Sequence, residues 1–186
     1  IDNGDISLIG NITHDKVSAQ GNINNISAKI FGDSLSHQFN HSITNGKINL
    51  SGIAREPILA TKINVTNIVS TDDNKKLSLN FNINTNHNQT DLNVTANSAN
   101  KKIAIITGTV GNTFSIFPLK FFINNDQDFI INANLTDQFN ILSLLPEFPG
   151  QKIEGILNGH IKVTGTPALP IIKGNLKLLG GKYVYK

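Results

Sequence analysis

Two histidines four residues apart, His37 and His41, have the spacing that on a helix offers a metal ion two ligands on one face. A metalloprotease pair would carry a Glu beside the first His, and none is there; the surrounding Ser34-Leu-Ser-His-Gln-Phe-Asn-His-Ser reads as loop. Asp126 and Asp128 set carboxylates at alternate positions of Asn124-Asn125-Asp126-Gln127-Asp128, as calcium loops do, yet the glycines that fold an EF-hand or a calcium-binding repeat are missing. Asp72-Asp73 ahead of Lys75-Lys76 reads as a solvated turn, and triplets such as Asn64-Val65-Thr66 arise by chance in so Asn-rich a chain. No Ser or Thr has a nucleophile-elbow context or a partnered base. The sequence therefore predicts no enzyme, no metal site and no cofactor.

What the residues between these positions do is more regular. From Lys76 to Asn84 the chain reads Lys-Leu-Ser-Leu-Asn-Phe-Asn-Ile-Asn. On a strand, successive side chains point to opposite sides, so Leu77, Leu79, Phe81 and Ile83 share one surface and the polar residues the other. Similar alternation runs through Gly4–Ile12, Lys16–Ile30, His41–Ile53, Ile58–Val69, Asp91–Asn97, Lys101–Val110, Thr113–Ile123, Asp128–Leu135, Lys152–Thr164, Ile171–Leu179 and Lys182–Tyr185. About a dozen strands are expected, each apolar on one side.

With 186 residues and 39% hydrophobic content the chain supports one domain, 1–186, with a substantial apolar interior. Only 16% of residues are charged, and the net charge of +3 is spread over many positions without basic-aromatic interleaving, which argues against nucleic acid. The absence of Cys rules out disulfides and thiolate metal sites. Apolar runs such as Ile103 to Ile106 fall far short of the roughly 20 residues that span a bilayer as a helix. Beginning at Ile1 and lacking Met, the sequence reads as a fragment of a longer chain whose signal or anchor lies elsewhere.

Turn chemistry suggests how the strands connect. Asn45-Gly46 would pair Ile43 with Ile48; Gly111-Asn112 would pair Thr109 with Phe114; Gly180-Gly181 would pair Leu178 with Tyr183. Each predicted hairpin keeps its apolar set on one side, which favours an antiparallel meander. Pro57, Pro146, Pro149, Pro167 and Pro170 are expected between strands, and Pro118 at a bulge or edge. One short helix near 137–145 is expected, capped by Thr136 or Asp137, with Phe139, Leu142 and Leu145 along one stripe and a stop at Pro146. Such a sheet can close as a barrel, face a second sheet in a sandwich, roll into an open trough, or wind as a parallel β-helix; periodicity alone leaves these open.

The last third narrows the choice. It fits ΦxGxΦxGxΦxΦxGTxxxP followed by ΦxGxΦxΦxxGxΦ, where Φ is hydrophobic, with Ile153, Gly155, Leu157, Gly159, Ile161, Val163, Gly165-Thr166, Pro170, Gly174, Leu176, Leu178, Gly181 and Tyr183 in place. In this the segment from Phe139 to Tyr183 resembles the repeating unit of the TamB family, and the rest of the chain resembles it in style. The resemblance implies an all-β fold: an antiparallel sheet rolled into an open hydrophobic groove (β-taco-like). It further implies a periplasmic segment of a bacterial envelope protein, anchored in the inner membrane, that shields phospholipid acyl chains in transport to the outer membrane. An older role in outer-membrane protein assembly, beside a TamA-like barrel and with unfolded outer-membrane β-strands as clients, belongs to the same family. The family domain continues with further strands past the equivalent of Tyr185.

Burying hydrocarbon yields about 0.8 kcal/mol per methylene, so a 16-carbon chain gains on the order of 12 kcal/mol from a continuous apolar lining. The residues expected to line it are Leu77, Leu79, Phe81, Ile83, Leu92, Val94, Phe129, Ile131, Leu135, Leu176, Leu178 and Tyr183, with small residues at Ala19, Gly21, Ala96 and Ala133 leaving room or simply packing against larger ones. The rival readings are an adhesin-like parallel β-helix, which would need a fixed coil repeat that the chain lacks, and a sealed β-sandwich or outer-membrane barrel serving as scaffold. The latter would carry aromatic girdles, and the chain has no Trp and two Tyr.

Overall fold

The computed structural model describes residues 4–27, 39, 41–69, 76–99, 101–136 and 151–185, with the side chains of 151–154 and 184–185 left aside. Alternation becomes extended backbone throughout: β1 (Asp5–Thr13), β2 (Lys16–Ser27), β3 (Ile43–Ile53), β4 (Glu56–Val69), β5 (Lys76–Thr85), β6 (Gln89–Ser98), β7 (Lys101–Ile116), β8 (Leu119–Ile123), β9 (Phe129–Leu135), β10 (Gln151–Thr166) and β11 (Leu169–Tyr185). They make one 11-stranded antiparallel sheet in the order β1-β2-β3-β4-β5-β6-β7-β9-β10-β11, with β8 on the far half of β7. Its edge strands, β1 and β11, are not paired with each other, so the sheet does not close into a barrel. Antiparallel pairing at every step excludes the parallel β-helix. The helix expected near 137–145, with Pro146 and Pro149, lies outside the described residues.

All three predicted two-residue turns are corrected. Asn45 and Gly46 sit inside β3, where Gly46 faces Ile63 on one side and Ile23 on the other. A Cβ on Gly46 would stand 3.3 Å from Ile63 and 3.5 Å from Ile23, so glycine here makes room for two isoleucines. Asn45 uses its carboxamide oxygen to accept the Asn25 amide at 3.0 Å. Gly111-Asn112 also runs through a strand: Gly111 pairs with Gln89, and Phe114 pairs with Phe121 rather than Thr109. Gly180-Gly181 forms an irregularity in β11 opposite Gly155, while Leu178 pairs with Leu157 and Tyr183 with Ile153. The two segments expected at the C-terminus are thus one strand. Asn-Gly and Gly-Gly permit tight turns without requiring them, and long strands use the same residues where backbones approach closely.

The prolines follow. Pro167 lies in the β10–β11 turn, but Pro57 and Pro170 are the second residues of β4 and β11, beside tight turns. Pro118 forms the β7–β8 turn itself, after a cis Phe117-Pro118 bond.

Register shifts occur between Ile23 and Ile26, Val65 and Ile68, Ala96 and Asn97, and Glu154 and Ile156. All fall toward one end of the sheet. Asn25 and Asn67 occupy two of them with φ of 51° and 58°, a region Asn tolerates better than most residues. Beside them the apolar core closes: Ile68, Leu77, Ala96, Ile103 and Ala104 are buried, with Phe39, Val65, Leu79 and Leu135 packed against them. A bulge adds local twist, and here the extra residue returns Ile68 to the side of Leu77 after Val65.

The opposite end is tied by hydrogen bonds. Beyond Gly111, β7 crosses the turns of earlier hairpins: the Asn112 amide donates to the Asn88 carbonyl (3.0 Å), Phe114 to His87 (3.0 Å) and Ile116 to Ala54 (2.8 Å). Asn112, 1% exposed, accepts from the Thr90 hydroxyl at 2.8 Å and donates to the Asn86 carbonyl at 3.0 Å. Thr90's single proton is thereby used, so Thr85 donates across the 2.9 Å hydroxyl contact between them.

Candidate functional site

Cross-strand register shows which side chains share the apolar face. One row runs Ile6, Ile23, Gly46, Ile63, Phe81, Val94, Ile106, Ala133, Ile161, Gly174. The next runs Leu8, Gly21, Ile48, Thr61, Ile83, Leu92, Gly108, Ile131, Val163, Ile172. Neither contains a charge, and Thr61 is their one polar side chain. Ten strands at about 4.8 Å give each row a length of roughly 43 Å.

Apart from Tyr183, the residues expected to line the groove fall on this face, with different fates. Phe81, Ile83, Leu92, Val94 and Ile131 occupy the two rows and are half-buried. Leu79 and Leu135 pack against the core, and Leu77, 2% exposed, is part of it. Phe129 pairs with Gly165 at the other end of the strands. Leu176 and Leu178 lie on β11 and are 43% and 44% exposed. Tyr183, 60% exposed, lies past the register shift at Glu154/Ile156, so the rows cannot be extended to it by counting. Of the small residues, Ala96 is in the core, and Gly21 is filled in by Leu8 and Ile48, which a Cβ there would meet at 3.4 and 3.5 Å.

The polar face has its own order. Asn22, Lys47, Lys62, Asn82, Asn93, Thr107, Asn132, Lys162 and Lys173 stand opposite one another strand by strand, with no carboxylate among them. On the neighbouring row Asn64 donates to the Asn80 carboxamide oxygen at 2.6 Å. Asn64 is therefore a half-buried strand residue.

Among the described residues, no three His, Cys, Asp or Glu side chains gather as a metal site. His41 is exposed in the turn before β3, His37, Asp72 and Asp73 lie outside the described residues, and Asp126 and Asp128 are exposed in the β8–β9 loop. A feature that alternation did not reveal is the β7–β8 arm, where Phe117, Leu119, Phe121, Phe122 and Ile123 are all more than half exposed. Its sequence signal is Phe121-Phe122-Ile123, a short apolar run that cannot be one-sided on a strand. Phe121 meets Phe114 edge-on, with ring centroids 6.1 Å apart. No helix among the described residues is long and apolar enough to cross a membrane. No family model, curated protein or solved structure matches the chain.

Proposed function

We propose that the apolar face carries lipid hydrocarbon, the chain being a TamB-like segment of an envelope bridge whose sheet, rolled lengthwise, forms an open trough for phospholipid acyl chains. The observation that carries this reading is the uncharged face itself: two rows roughly 43 Å long, half-covered in the middle strands and exposed at β1 and β11. A charge would interrupt such a path, and the register brings none into it. Periplasmic location, inner-membrane anchoring and cooperation with an outer-membrane barrel extend the same proposal to the whole protein.

A photocrosslinking residue placed at Phe81 and, separately, at Asn49 on the exposed polar face tests it in cells. Lipid adducts at Phe81 with few at Asn49 are expected, and equal labelling at both sinks the one-sided lining. In the full-length protein, Phe81→Arg is expected to abolish function in a folded protein, while Asn49→Arg is tolerated.

A further inference from the structure

We propose that the polar side of the sheet is a groove for a linear anionic polysaccharide. Three depressions follow one another there. The first, about 330 Å³, takes in Lys47, Lys62 and Asn82. The second, about 590 Å³, continues from Asn82 over β6 and β7 to Thr107 and Asn132. The third, about 460 Å³, runs from Thr107 and Asn132 to Lys162 and Lys173. Asn82 is common to the first two, and Thr107 and Asn132 to the last two, so the three join into one channel that crosses the strands.

Charge along this channel is placed in a way that folding alone does not favour. Lys47 stands directly opposite Lys62, and Lys162 directly opposite Lys173. Like charges at facing positions of a sheet destabilise it, and an anion between them reverses the sign of the effect. Five strand spacings separate Lys62 from Lys162, roughly 24 Å, too far for one small anion to serve both pairs. A polymer can do so. Between the lysine pairs the floor offers carboxamides and threonine hydroxyls, which both donate and accept, as sugar hydroxyls do, and one carboxylate, Asp91, which already accepts from Gln89 and Thr109. Phe81, the one Phe, Tyr or Trp at the first depression, alternates to the apolar face, and none borders the other two, so no stack for bases runs along them. Cations at both ends with many amides between them match a uronate glycan, whose hydroxyls outnumber its carboxylates.

The test is titration calorimetry of the 186-residue chain with dodecagalacturonate. Binding is expected, falling at least tenfold when Lys62→Gln and Lys162→Gln are combined, and at least tenfold for an uncharged cello-oligosaccharide of similar length. Asn132→Leu, which removes no charge, is expected to weaken binding several-fold. Both lysines are exposed, so an unchanged urea midpoint in the double variant separates lost binding from lost fold. No binding to dodecagalacturonate, full binding by the double variant, equal binding of a single-stranded oligonucleotide of matched charge, or tighter binding to phosphatidylglycerol vesicles would each overturn the proposal. Because it concerns the face opposite Ile83 and Ile131, it stands or falls separately from the lipid reading.

Discussion

Along strands β4 to β7 the same apolar face is sealed at the bulged end and left half-covered in the middle. Ile68, Leu77 and Ile103 on β4, β5 and β7 are 0%, 2% and 3% exposed, whereas Phe81 and Ile83 on β5 and Leu92 and Val94 on β6, further along the sheet, keep part of their surface in solvent. Hydrophobicity does not separate the two sets. What differs is the ladder: the bulged end carries register shifts that add twist and bring neighbouring strands' side chains over one another, while the middle is a regular ladder whose side chains stay half-exposed. A sheet face of this kind is a core only where its backbone is bent to make it one.

The largest expected effect follows directly. Leu77→Ala removes a fully enclosed side chain and leaves a cavity, so a loss of about 2–5 kcal/mol is expected. Ile83→Ala, of similar chemistry, forfeits the transfer energy of a half-exposed group and encloses no void, so about 1–2 kcal/mol is expected. Urea unfolding of the two variants side by side checks the contrast; equal losses would mean that the middle is as sealed as the end.

The far end sharpens the contrast, because it is closed by hydrogen bonds rather than hydrocarbon. Asn112→Ala takes away the acceptor of the Thr90 hydroxyl and the donor to the Asn86 carbonyl in a site that water does not reach. Losing both bonds is expected to lower stability by about 1–3 kcal/mol, and to speed amide exchange at Asn112 and Phe114 before that of the central strands. A uniform exchange profile would show that the β7 crossing is not a separate clasp.

Strands and faces were legible in the sequence wherever hydrocarbon alternates, as in Leu77 to Ile83, since a two-residue period admits one interpretation. Connections were not. Asn45 was read as turn chemistry, yet its carboxamide accepts the amide that the Asn25 bulge turns away from the ladder, and local sequence does not distinguish these uses. Gly111 lies under the Gln127 side chain from the following loop, a contact between elements that no window along the chain contains. Of the expected lining residues, the face could be read, but which members are core could not: Leu77 and Ile83 look alike until the bulges are located. The lysine row on the other face depends on eight strand registers at once, so it was invisible until pairing was known.

Two of the four bulges share a signature, Φ-x-Asn-Φ in place of Φ-x-Φ, at Ile23-Asn-Asn-Ile26 and Val65-Thr-Asn-Ile68. It yields the smallest expected effect. Asn67 holds a φ of 58°, where a β-branched side chain crowds the backbone, so Asn67→Val is expected to lose about 1–2 kcal/mol. Glycine adopts the same conformation freely, and Asn67→Gly is expected to lie within about 0.5 kcal/mol of the parent. If the bulge is what turns Ile68 onto Leu77, the valine variant also reduces the additional loss caused by Leu77→Ala, because the side chain it removes is no longer enclosed. A double-mutant cycle on Asn67 and Leu77 reads that coupling: a non-zero interaction energy ties the sealed end to its bulge, whereas strict additivity would assign the sealing to side-chain size alone.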